Sequence, residues 1–230
     1  MTDLIKFAGG AVADVSALDA SLSRALDKAP KVSNGTPYLK LSQKDGSWAF
    51  GAEGTGAEEG SLWAINVGSL QHGYSCWSDP KVTRKKSELL GEIFRPADED
   101  LPAIAELVDH SDQGGVWKDA VMFDLACVTG EDQGENVTYS ASSQGGCRAY
   151  GAILTAVQNR PEAGHFIPIV ELNSSSYESN FGDTIFNPVF EVVDWATPEG
   201  DMLDGNDPEN AADEEPEDEQ PQRRRRRKAS

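Results

Sequence analysis

TPYLKLSQKDGSWAFGAE, residues 36–53, is where the periodicity of the chain changes. Leu39 and Leu41 alternate with Tyr38 and Lys40, and Trp48 and Phe50 flank Ala49, which is the two-residue period of half-buried strands. Between the two runs stands Asp45-Gly46, a dipeptide that tolerates the positive φ angles of a type I′ turn and so predicts a hairpin. Upstream the spacing is helical instead. Val15, Leu18, Leu22 and Leu26 make one apolar stripe, with Asp14 placed to cap it and Pro30 to stop it, so residues 1–35 read as an N-terminal helical segment.

Downstream the strand style continues. SLWAINV (61–67), HGYSCWSD (72–79) and SELLGEIF (87–94) predict three further strands. PADEDLPAIAELVDHSDQGG (96–115) is broken by Pro, Asp and Gly and reads as a long connection or flap. AVMFDLACV (120–128) and ENVTYSAS (135–142) flank another turn. SSQGGCRAYGAILTAVQNRPE (142–162) then switches to helix, with Ala149, Ala152, Ile153, Ala156 and Val157 on one face, Ser142 or Ser143 as cap and Pro161 beyond the end. FIPIVELNSSSY (166–177) and TIFNPVFEVVDW (184–195) are the last strands. About nine short strands with one central helix, about residues 145–160, predict a mainly β (α+β) body over residues 36–196: an OB-like β-barrel or a β-sandwich.

Residues 197–230 have the composition of a disordered tail. Eleven acids and no base lie between Glu199 and Glu219, and six bases follow at Arg223–Lys228. The part before the tail is itself acidic, with 28 acids against 14 bases over residues 1–196. That balance disfavours a protein held to nucleic acid by a broad positive face, because Lys and Arg neutralising phosphates supply most non-specific affinity. Cys76, Cys127 and Cys147 form no CxxC pair and suit reduced thiols, and no stretch has the length of a membrane span or the pattern of a signal peptide. A cytoplasmic location is expected.

No catalytic signature stands out. The chain has no nucleophile elbow and no phosphate-binding loop, and the glycines of FGAEGTGAEEGS (50–61) come with Glu53, Glu58 and Glu59, which repel an anion. His72, His110 and His165 fall in no two-histidine metal pattern, and His72 with Cys76 is half a zinc site at most. The carboxylate pairs Glu58-Glu59 and Glu131-Asp132 lack the lysine of a metal-dependent nuclease motif. Cys147, at a helix start beside Arg148, is either a thiol of lowered pKa or a small buried residue. No cofactor, metal or enzymatic activity is expected.

The aromatic residues carry more information. Trp48, Phe50, Trp63, Tyr74 and Trp77 fall within thirty residues on three consecutive strands, and rings on a sheet face are a platform for unstacked bases. The alternative is that they fill a barrel core. KVTRKK (81–86) follows directly, so Lys81, Arg84, Lys85 and Lys86 are the candidate phosphate contacts. Arg223, Arg224, Arg225, Arg226 and Arg227 form a second basic group that could act as a clamp, while the acids before them compete for the first.

The run TPYLKLSQKDGSWAFGAEGTGAEEGSLWAINVGSLQHGYSCWSD, together with FNPVFEVVDW before an acidic and then arginine-rich end, resembles a group of uncharacterised bacteriophage and prophage proteins. The resemblance implies a replication or recombination setting in the bacterial cytoplasm. A looser likeness, a β-barrel followed by an acidic tail, is to OB-fold single-stranded DNA-binding proteins, from which this chain departs by ending in arginines. Two functions are therefore carried forward. One is a single-stranded DNA-binding accessory protein; the other is a non-enzymatic interaction module, a scaffold or DNA-mimicking host-factor inhibitor, whose acidic body meets a basic partner.

Overall fold

The structure, a computed structural model, describes residues 35–179 and 182–203. The helix expected over 14–29 and the arginines at 223–227 lie outside the described residues. Within them the chain is mainly β, as expected, with one ten-stranded sheet. Its strands are β1 (Tyr38–Leu41), β2 (Trp48–Phe50), β3 (Thr55–Gly56), β4 (Leu62–Ile65), β5 (Gln71–Trp77), β6 (Leu89–Pro96), β7 (Val116–Cys127), β8 (Asn136–Ala141), β9 (Ile167–Glu178) and β10 (Thr184–Ala196). Two helices accompany them: α1 (Pro80–Thr83), a single turn, and α2 (Gln144–Gln158), capped by Ser143, whose hydroxyl accepts from Gly146 N–H at 3.1 Å.

The first hairpin forms with a different turn. Leu41 pairs with Trp48, Ser42 N–H donates to Ser47 C=O, and Gly46 N–H reaches back to Ser42 C=O, so the loop is longer than the two residues of a type I′ turn. Asp45 keeps a negative φ and Gly46 alone takes the left-handed conformation (φ 74°). The Asp45 carboxylate instead accepts from Ser47 N–H (3.0 Å) and Ser47 Oγ (2.7 Å). Those hydrogen bonds, with one from Ser42, hold its pKa down at about 2.

β7 organises the sheet. One edge pairs with β8, while the other is shared: Val116–Met122 pair with β5 and Leu125–Cys127 with β4. Between the two, a 3-10 turn at Val67–Ser69 steps the chain away from the sheet. The backbone groups this leaves open on Asp124 are satisfied by Ser69 Oγ (2.8 Å) and Asn66 N–H (3.0 Å), because a buried peptide group needs a partner. Beyond β7 the sheet therefore divides into two wings, β4-β9-β10 and β5-β6.

The first wing rolls over. β9 and β2 are five strand steps apart in the sheet order, about 24 Å in a flat sheet. Yet Trp48 Nε1 donates to Asn173 C=O at 3.1 Å, and Phe186 N–H donates to Gln43 C=O at 3.3 Å. Inside the roll Trp48, Phe123, Tyr139 and Phe190 pack ring against ring, with centroids 5.0 Å apart for Tyr139 and Phe190, and α2 plugs the space with Ala149, Tyr150 and Ile153. FIPIV is apolar without alternation because both faces of β9 are covered there. Val170 faces the roll, whereas Ile167 and Ile169 join Ala64, Ala126 and Val128 in a second cluster. Residues 197–203, assigned to the tail on composition, fold back over that cluster: Leu203 N–H donates to Trp195 C=O, and Met202 packs on it.

Candidate nucleic-acid interface

The five aromatic residues do not share a face. Trp63 (0% exposed), Trp48 (7%) and Phe50 (8%) are core, which corrects their reading as stacking rings. The three strands that carry them are not neighbours in the sheet: β2 pairs with β1 and β3, β4 with β7 and β9, and β5 with β6 and β7. The polar edges of the two indoles are satisfied inside, Trp63 Nε1 by Ser61 Oγ at 2.9 Å and Trp48 by Asn173. Tyr74 is half-buried on the face of β5 that also carries His72 and Cys76. Segment 97–115 packs over that face: His72 Nε2 lies 2.7 Å from Glu99 C=O, and Gly115 lies against Cys76 and His110.

Trp77 is different. Three residues on from Tyr74 it points to the opposite face and is 47% exposed. Its cross-strand partners, Leu89 on β6 and Val116 on β7, are exposed too, so an apolar row crosses three strands. Lys118, two residues along β7, lies on the same face as Val116 and is exposed.

The basic cluster begins where β5 ends. Asp79 caps α1 through Lys81 N–H (2.8 Å), and Arg84 closes it in the left-handed conformation at φ 56°. The ends of the connection are tied together, since Ser78 and Glu88 exchange Ser78 N–H to Glu88 C=O and Glu88 N–H to Ser78 Oγ, both at 2.9 Å, and Ser87 Oγ donates to Ser78 C=O. Lys81, Arg84, Lys85 and Lys86 are all exposed on this closed hairpin tip. The ion pairs formed among the described residues, Arg95 with Glu99 and His165 with Glu162, use none of them. Four cations thus stand beside one accessible indole on an otherwise acidic body.

A groove of about 930 Å³ lies against that ring. Trp77, Val116 and Lys118 form one side; Gln43 from the β1–β2 turn and Ser142 from the start of α2 also line it. Periodicity gave no signal for Gln43 or Ser142, because the long-range pairing of β8 and β1 beside β7 brings them here. Val116 and Lys118 were legible in principle, as alternate residues in GGVWKDA, but lay at the end of the presumed flap.

Among the described residues no three His, Cys, Asp or Glu side chains converge as a metal site. Cys147 does not carry an activated thiol. It is half-buried with Sγ 3.8 Å from Asp119 C=O, and burial, with Asp119 adding to it, pushes its pKa up. Cys127 is pushed up to about 12 by burial. Among the described residues no helix is long and apolar enough to cross a membrane. No protein-family model, curated protein or solved structure matches the chain.

Proposed function

We propose that the chain binds single-stranded nucleic acid through Trp77 and the hairpin 78–88, as a non-enzymatic accessory to phage DNA replication or recombination in the host cytoplasm. The observation that carries this reading is the juxtaposition of a half-exposed indole with four exposed cations on a hairpin tip. A base stacks on the ring and the flanking phosphates meet Lys81, Arg84, Lys85, Lys86 and Lys118. Stacking on Trp77 favours single strands, since a base must leave its duplex to lie on the ring. Arg84 adds support. Its left-handed conformation is one that glycine adopts without strain, so the arginine sits there at a cost in stability of about 1–2 kcal/mol, consistent with use of its side chain. The acidic body repels strands elsewhere and confines binding to this site. The tail's arginines at 223–227 add a second phosphate contact, and its acids compete for the first.

Binding of labelled oligonucleotides, single-stranded and duplex, across a salt series tests this. Log affinity falls linearly with log salt, and replacing Lys81, Arg84, Lys85 and Lys86 together by Ala reduces the slope by up to about 0.7 per cation lost. A chain that shifts no oligonucleotide at low salt sinks the proposal. The row Leu89–Trp77–Val116 favours a second reading, an interaction module whose partner covers apolar surface. On that reading Trp77→Ala abolishes partner capture after nuclease treatment, and the quadruple Ala variant does not.

A further inference from the structure

We infer that a base stacked on Trp77 is read across the groove by the side-chain amide of Gln43, which makes Gln43 the specificity-determining residue of the site. The inference rests on the nucleic-acid reading above and adds to it a base preference, which stacking alone does not supply because every base has a π face.

Elimination among the lining residues points to Gln43. Ser78 Oγ is taken by Glu88 N–H and Ser87 Oγ by Ser78 C=O. Asp79 caps α1. Ser142 has a hydroxyl that can rotate to donate or accept, so it adapts to any base edge, and Lys118 is a point charge suited to phosphate. Among the lining residues Gln43 alone has an exposed side chain with a fixed pattern, one acceptor oxygen and two donor hydrogens in a plane. Paired N–H donors and C=O or ring-nitrogen acceptors on a base edge complement an amide of this kind, and amides discriminate among bases in this way.

Its backbone is held well enough to discriminate. Gln43 C=O accepts from Phe186 N–H at 3.3 Å, which ties the turn to β10. Gly46 in the same turn lies so close to Phe186 and Ser174 that a Cβ there would meet Phe186 Cδ1 at 2.6 Å and Ser174 Oγ at 2.7 Å. The turn is thus clamped across the seam of the roll, and the exposed Gln43 side chain projects from a fixed base.

Fluorescence anisotropy with labelled dA, dC and dT homopolymers at low salt tests the inference on the full chain. The wild type should prefer one homopolymer by about tenfold. Gln43→Ala, a surface change that keeps the backbone anchor, should bring the three within about twofold of one another while the salt slope stays unchanged. Equal wild-type binding to all three, or a preference that survives Gln43→Ala, overturns the inference and leaves the nucleic-acid reading standing. Absence of binding to any homopolymer removes both.

Discussion

Trp63 and Trp77 show how little a residue's identity says about its role. Trp63 is enclosed, so Trp63→Ala should destabilise the fold by about 3–5 kcal/mol, read by denaturant unfolding. Trp77→Ala, on a half-exposed ring, should leave the unfolding midpoint nearly unchanged and weaken single-strand binding about tenfold. The reverse pattern would mean that Trp77 is structural. Asp124 makes a different point. Its carboxylate accepts from Thr138 Oγ1 at 2.7 Å, yet burial outweighs that bond and pushes its pKa up. The folded state therefore holds the proton more tightly than the unfolded chain, and stability declines as pH rises from the ordinary carboxylate value through the raised one. Asp124→Asn keeps an oxygen for Thr138 and removes the charge. Its melting temperature at neutral pH should equal or exceed the wild type's, with a flatter pH profile through that window; a lower one would show that the carboxylate itself is needed.

At the scale of elements, the hairpin joining β5 and β6 sets stability against its proposed use. Glycine is the residue a helix C-terminus prefers in the left-handed conformation, and Arg84 occupies it. Arg84→Gly should raise stability by about 1 kcal/mol and lower affinity for single strands. Gain in both would remove the argument from strain. Elsewhere glycine is obligatory: at Gly73 a Cβ would collide with Ile93 C=O on the neighbouring strand, so β5 and β6 pair in this geometry only because that side chain is missing. The elements were legible where periodicity was clean, as in α2, expected over about 145–160 and found over Gln144–Gln158. The turn at Asp45-Gly46 was less so, because the Asp45 side chain could serve either a type I′ turn or the longer loop it forms with Ser47.

For the molecule as a whole, the boundary of the folded body matters to any experiment on the tail. Ending the chain after Ala196 removes Met202 from the cluster around Ile167 and Ile169, with the Leu203 N–H bond to Trp195 C=O, and should cost about 1–3 kcal/mol, whereas ending it after Leu203 should leave thermal stability unchanged. Equal melting temperatures for the two would show that segment 197–203 adds nothing. The longer version is therefore the one against which the effect of the charged tail on binding can be measured.

By itself the sequence determined the mainly β class, the long helix between β8 and β9, the basic run at 81–86 and its place directly after Trp77, because each depends on neighbours along the chain. Which rings are buried, and what faces the remaining one, only the tertiary structure decided. Strand pairing joins β5 to β7 across about forty residues, and the order β7-β8-β1 puts Gln43, just past the end of β1, on the same groove as Trp77. A two-residue period tells which side chains share a strand face, but not which of the two faces is covered by another layer.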